Sequence, residues 1–514
     1  MKKKIVAILL GLTLILGGCS STSTSSTGST TSTETSSTSD STTASTSNST
    51  TAQAVSTSSV TTEGIDVNLT GDYSDKALDA SYDEADATTI TLNGTDIQVE
   101  GDGATVSDQV VTITEPGTYI VSGTLEDGQI VVDLTADENV QLVLDNADIT
   151  CTDSAPILVK SVKNLYLTLA DGSENTVTDG SDYVLESTED ETNAAIYSKS
   201  DLIINGNGSL TVNANYNDGI TSKDDLQIIS GNITVNAKDD AIVGKDSVSI
   251  KDGTLNLTAG GDAIKATNTE DTTKGYVVID GGTMNIDAGD DGVHSETVLV
   301  INSGDLNISN SVEGLESLNI IINDGTIDLT ASDDGVNVAG GVGETIDGAL
   351  VINGGTLNVN ASGDGLDSNG SMEINGGIVT VSGPTDAGNG VLDYNGTLEI
   401  TGGVLLASGI TGMNQAPSDT SSQVSMAVTS DSTVAAGSEV SVKDADGTVL
   451  YTFTVDKESN YFVISAPELE DGATYTIETG SQTITATGGD ISAAESGMGG
   501  GMQQGGGNRQ MKQM

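Results

Sequence analysis

The stretch Tyr276-Val277-Val278-Ile279-Asp280-Gly281-Gly282-Thr283-Met284-Asn285-Ile286-Asp287-Ala288-Gly289-Asp290-Asp291-Gly292-Val293 holds nearly one full period of this chain. Val277 and Ile279 alternate with their neighbours, a glycine turn follows, and Met284 and Ile286 alternate in turn. After a second turn, rich in Gly and Asp, Val293 opens a third apolar position. Period-two alternation in short runs punctuated by turn residues is strand patterning, and no run is long enough for a helix.

Working outward, a glycine at the first turn recurs as Gly208, Gly231, Gly253, Gly282, Gly304, Gly325, Gly355, Gly377 and Gly403, mostly about 22 residues apart. Two longer intervals contain insertions, Thr267 to Gly275 and Ala339 to Gly348. Each unit supplies five inward apolar residues. Leu202/Ile204 through Leu299/Ile301 belong to strand one, and Leu210/Val212 through Leu357/Val359 to strand two. Strand three supplies Ile220, Ile242, Ile264, Val293, Leu315, Val336, Leu366 and Val391. A leucine-rich repeat would need a helical segment in each unit, and propeller blades need about 40 residues or more. The pattern predicts an all-β, right-handed parallel β-helix with three strands per coil, the hand following the general crossover preference. Stacked coils would also bring Asn302, Asn323, Asn353 and Asn375 into one ladder.

The ends have other compositions. Residues 1–18 read as a signal peptide, with Lys2, Lys3 and Lys4 before an apolar run too short to span a bilayer. Leu16-Gly17-Gly18-Cys19 resembles a bacterial lipobox, making Cys19 the expected lipidated N-terminus and membrane anchor. Residues 19–62 form a Ser/Thr-rich tether unable to bury a core. The solenoid is assigned to 63–412, a small β-sandwich-like cap holding both phenylalanines to 413–490, and a Gly/Met/Gln-rich tail to 491–514. The expected location is the outer face of a bacterial membrane. Cys151 has no disulfide partner and reads as a small core filler.

The net charge is −58, which repels nucleic acid and any acidic polysaccharide unless cations intervene. The repeat sets an acid at one point of successive units: Asp218, Asp240, Asp262, Asp291, Glu313, Asp334 and Asp364, with Asp239, Asp290 and Asp333 alongside. Carboxylates one coil apart, about 4.8 Å, repel by about 3 kcal/mol at an effective dielectric near 20. A calcium ion with oxygens about 2.4 Å away on either side spans that gap. The alternative is an Asx ladder in which each acid only caps its own turn. Calcium-binding RTX repeats are excluded, since Gly-Gly-x-Gly-x-Asp does not recur.

Beside that column each unit carries a different residue: Thr221, Val243, Lys265, His294, Glu316, Asn337 and Asp367. Such variation suits a recognition face, and equally an ordinary solvated one. The insertions would wall a groove there. Lys223, Lys245, Lys265 and His294 are its candidate ligand contacts, while Tyr197 and Tyr216, with Tyr183, could form a stacking platform.

Several segments resemble a known family. They are Gly117 to Leu125, Ala170 to Thr176, Ser198 to Leu202, Asn215 to Ile220, Thr273 to Gly282, Asp290 to Glu296 and Ala466 to Leu469. The family is the clostridial-type carbohydrate-binding β-helix proteins, and the resemblance spans roughly residues 86 to 480. It implies a pectate-lyase-like fold, bound calcium, and association with cellulose or acidic, pectin-like glycans without established turnover. The chain has no Trp, which fits poorly with aromatic stacking on cellulose. The leading expectation is a non-catalytic polysaccharide binder holding Ca2+ between coils. A calcium-dependent lyase using Lys265, Lys245 or Lys223 as base is the second, and a structural spacer or adhesin the third.

Overall fold

The alternation gives every strand one set of side chains that must leave water, and stacking coil on coil buries them together. In the computed structural model, which describes residues 69–134, 137–185, 187, 191–339, 348–480 and 482–494, the coils form a parallel β-helix of about eleven turns. Cys19, the signal peptide, the tether and residues 340–347 of the second insertion lie outside the described residues. No described helix is long and apolar enough to cross a membrane; the longest element of that kind is the single turn Asp75–Leu78.

Each coil contributes one strand to each of three faces. The unit quoted above pairs in parallel with the next coil throughout, Val277 opposite Leu299 on the first face, Met284 opposite Leu306 on the second and Val293 opposite Leu315 on the third. The inward residues fuse into one apolar core, and Ile264, Val293 and Leu315 are wholly buried in it. Burying each such side chain contributes about 1.5–3 kcal/mol. Val391 is buried in the core as expected, but its register is corrected. Leu392, not Val391, registers opposite Leu366, because the chain between these coils is longer by several residues and shifts the third strand on by one.

The first turn explains its glycines. Gly304 and Gly325 have φ of 109°, a region L side chains avoid. A Cβ on Gly325 would also stand 2.7 Å from the Gly304 carbonyl oxygen of the coil before it. Next to them the asparagine ladder forms as expected: Asn323 donates to Asn302 at 2.7 Å, Asn353 to Asn323 at 2.8 Å and Asn375 to Asn353 at 3.1 Å.

The three faces differ outside. Residues from Leu69 to Ser81 run as a strap across the first. Asn302 donates to the Leu69 carbonyl at 3.0 Å and Asn205 to that of Ala77 at 3.0 Å, and Ala77 packs on outward-facing Tyr166, Ile203 and Ile229. The third face carries the acid column, and the insertion 267–275 follows it. The second is crossed by no described segment away from its ends. At the C-terminal end, Ser459–Ser465 pairs antiparallel with the last coil strand, Val404–Gly409. A separate four-stranded antiparallel sheet encloses Phe453 and Phe462 between itself and that extension.

Candidate cation and glycan sites

The stacking that aligns the core aligns the acids, and Asp240, Asp262, Asp291, Asp334 and Asp364 each commit one carboxylate oxygen to the coil that follows. One oxygen accepts the backbone N–H of the acid in the next coil: Asp262 N to Asp240 Oδ1 at 2.7 Å, Asp291 N to Asp262 Oδ1 at 2.8 Å, Glu313 N to Asp291 Oδ1 at 3.3 Å and Asp364 N to Asp334 Oδ1 at 2.6 Å. The column ends when Gly390 N donates to Asp364 Oδ1 at 2.5 Å. These five acids thus cap the following coil rather than their own turn, and the capping uses only one oxygen of each. Glycine leaves room for this: a Cβ on Gly363 would meet Asp334 Oδ1 at 2.4 Å and Asp333 Oδ1 at 2.5 Å.

What faces the second oxygens changes along the solenoid. The varied ladder runs in register through Tyr197, Thr221, Val243, Lys265, His294, Glu316, Asn337, Asp367 and Asp393. It is not an open solvated face. Thr221 is 1%, Val243 7% and Asn337 8% exposed, so charges on this ladder act at low dielectric, where pairing matters most.

In the central coils the protein supplies its own cations. Lys265 Nζ lies 2.6 Å from Asp262 Oδ2 and 3.2 Å from Asp240 Oδ2. Burial alone would lower its pKa, but the two carboxylates outweigh that and raise it. His294 Nδ1 is 3.1 Å from Asp291 Oδ2 and 3.2 Å from Glu316 Oε2, and Nε2 is 3.6 Å from Glu296 Oε1. Burial opposes its charge, yet the hydrogen bonds to Asp291, Glu296 and Glu316 push it to about 12. Lys265 therefore holds its proton tightly and is a poor base. It and His294 serve the acids, not a free ligand face.

Farther along, no cationic side chain pairs with the acids among the described residues. Asp334, Asp364 and Asp367 bring carboxylate oxygens within 4.8 Å of one another. Burial first, and then repulsion from nearby carboxylates that in each case include Asp393, raise Asp334 and Asp364 to about 6 and Asp367 to about 7. Asn337, three residues after Asp334 and in register beside Asp367, buries an Oδ1 with no hydrogen-bond partner. An unpartnered buried carbonyl costs about 1–3 kcal/mol, and the residues in register on either side of it, Glu316 and Asp367, carry carboxylates. This oxygen-only set suits a hard divalent ion, whereas Lys265 and His294 already engage outer carboxylate oxygens in their own coils. Asp393 follows Asp367 in register, with Gln415 Nε2 donating to it at 2.8 Å.

The remaining candidates separate. Asp218 is buried and raised to about 7, first by desolvation and then by Asp240 and Asp239. Asn193 and Asn217 hold its two oxygens at 2.6 and 2.8 Å, leaving little for an ion. Asp239, Asp290 and Asp333 are exposed. Asp290, Asp291 and Glu313 also converge, Glu313 being raised to about 8 by burial and then by Asp291. Lys223 lies 3.9 Å from Glu191 and 5.9 Å from the Tyr197 ring centre, and Lys245 is exposed. Tyr197 is fully buried and offers no platform. Tyr216 stacks on Tyr183 at 4.0 Å, so each covers one face of the other. Sequence reasoning missed Asn337 and Asp367 as ligating groups, although both stood in the varied ladder. It also missed a second acidic group, Asp201, Asp224 and Asp225, near the Asp246 carboxylate that Lys274 of the first insertion pairs with.

Residues 107–343 match the model of a family described as carbohydrate-binding domain-containing protein. These coils resemble the carbohydrate-binding-domain family. A carbohydrate-binding domain-containing protein of Acetivibrio thermocellus is 51% identical over 137 residues, 26% of this chain and 48% of that protein. The chain thus spans about half the length of this curated relative. A solved structure of a polysaccharide lyase-like protein from C. thermocellum, a gadolinium derivative, shares 38% identity over 51% of this chain and 98% of its own, with a TM-score of 0.42.

Proposed function

We infer that this chain is a non-catalytic polysaccharide-binding protein, held at the outer face of a bacterial membrane through lipidated Cys19, that binds an acidic glycan by way of calcium. The single observation carrying the calcium reading is the cluster of Asp334, Asp364 and Asp367, with Asn337, whose buried oxygen is unpartnered, in register beside Asp367. Three carboxylates and an amide oxygen form part of the six to eight oxygens calcium takes, leaving positions for water or a uronate carboxylate. On a surface this anionic a uronate chain is repelled unless such an ion stands between.

The carbohydrate reading draws on the family match over residues 107–343. The non-catalytic reading is supported at Lys265, one of the three lysines a lyase could use as base, whose two carboxylate partners keep it protonated, since a lyase needs a group free to take the C5 proton. Calorimetry with polygalacturonate tests the proposal. Binding should appear with calcium and vanish in EDTA, with no new absorbance near 235 nm; calcium-independent binding would remove the bridging ion from the account.

A further inference from the structure

Beside the last acids the backbone ladder of the solenoid has a gap. Down most of the stack, the residue after each second-face strand donates its N–H to a carbonyl one coil back: Lys238 to Ala214 at 3.0 Å, Gly260 to Ala237 at 3.2 Å, Gly289 to Ala259 at 3.0 Å and Ser362 to Ala331 at 3.1 Å. Asn360 registers opposite Ser382, so the donor due to the Ala361 carbonyl is residue 384. That residue is Pro384, which has no N–H. The carbonyl is paired nonetheless. Lys457, from the turn between Val449–Val455 and Ser459–Ser465 of the cap, reaches back and donates to it through Nζ. A lysine is costly in that place: burial pushes its pKa down to about 8 with only Asp456 opposing.

The same short stretch of the cap holds the other segments that border the Asp334, Asp364 and Asp367 cluster. Asp456 Oδ2 accepts the Ser382 hydroxyl at 3.2 Å, Asn460 Oδ1 accepts the Thr411 N–H at 2.7 Å, and the Tyr461 hydroxyl donates to the Gln415 carbonyl at 2.8 Å. Each contact leads to an acid. Three residues after Ala361 stands Asp364, and Ser382 opens the loop that returns the Gly390 N–H to Asp364 Oδ1. Gln415 holds Asp393, which follows Asp367 in register.

We propose that this turn of the cap, Asp456 to Tyr461, is a positioning element for the cation cluster, with Lys457 acting through the Ala361 carbonyl, so that ion binding and cap docking are coupled. The inference rests on the reading of Asp334, Asp364 and Asp367 as a calcium site. Calcium takes its oxygens within a narrow range of distance, so the backbone that carries Asp364 must be held, and Pro384 has removed the ladder bond that would hold it. By linkage, whatever the docked cap contributes to ion affinity the ion returns to cap docking.

The experiment is a calorimetric calcium titration of the full chain, scoring the ion that Asp364→Asn/Asp367→Asn fails to bind, together with hydrogen exchange over Ser459–Ser465. Lys457→Met removes the donor and keeps the stem, Lys457→Arg keeps a donor, and Pro384→Ala/Lys457→Met returns a backbone N–H to Ala361. Lys457→Met should bind that ion about tenfold more weakly, the other two variants should recover most of the loss, and calcium should slow exchange over Ser459–Ser465 in native protein. A Lys457→Met protein that melts lower but takes the ion as native does would make Lys457 a fastener alone and overturn the proposal. So would exchange in native protein that ignores calcium, a readout that decides even where Lys457→Met does not fold. If native protein takes up no such ion, the calcium reading itself falls and the coupling falls with it.

Discussion

Removing the Lys265 charge isolates what the acid column needs. In Lys265→Met the stem still packs, while Asp240 and Asp262 lose the ammonium held 3.2 and 2.6 Å from their outer oxygens. Stripping one partner from a fully buried pair costs about 3–5 kcal/mol. The Lys265 side chain is 29% exposed, and solvent screening brings the expected loss to about 2 kcal/mol. Two carboxylates without a protein cation then reproduce the arrangement of the Asp334 coils, and calcium should enter. An ion at 100 times its dissociation constant contributes about 2.7 kcal/mol, enough to restore the loss. Denaturant unfolding in EDTA and in calcium, with a calorimetric calcium titration, would show a variant weaker than native in EDTA, level with it in calcium, and binding one more ion. A variant as stable as native in EDTA, with unchanged stoichiometry, would refute the idea that lysine and calcium play interchangeable parts.

Replacing Asn337 by Leu removes an unpartnered buried carbonyl, so the variant should gain about 1 kcal/mol in EDTA and lose at least tenfold in calcium affinity; a stability loss in EDTA would contradict this. Leu315→Ala leaves a cavity in the fully buried core and should cost about 2–5 kcal/mol in denaturant unfolding, while a loss below about 1 kcal/mol would question the packing. His294 has a folded-state pKa raised to about 12 from an unfolded value near 6.5. Its charge therefore contributes fully below pH 6.5 and progressively less as pH rises toward 12. The gap in thermal midpoint between native protein and His294→Gln should narrow from pH 6 to pH 9, and a gap that widens would reverse the sign of the argument.

The fold was legible because the repeat reports it many times over: one ambiguous run such as Leu255-Asn256-Leu257 could be many things, but nine aligned copies could not. Register failed only where a connection changed length, at Val391, since periodicity counts residues and cannot see how many a turn absorbs. The strap from Leu69 was invisible, because it is tied to Asn205 and Asn302 by bonds spanning more than a hundred positions of chain. The acid column could be read from spacing, but not what offsets its charge. Lys265 and His294 have the side chains of ligand contacts in a groove, and only their distances to Asp240, Asp262, Asp291 and Glu316 show that they are spent within the protein. Asn337 was one residue among seven varied neighbours until burial left its oxygen without a partner.

The claim that calcium on the Asp334, Asp364 and Asp367 cluster carries the acidic glycan is met most directly by titrating polygalacturonate into Asp364→Asn/Asp367→Asn in saturating calcium. The account predicts affinity at least tenfold below native, with a thermal midpoint in EDTA no lower than native because two mutually repelling carboxylates are gone. An affinity equal to native would contradict it.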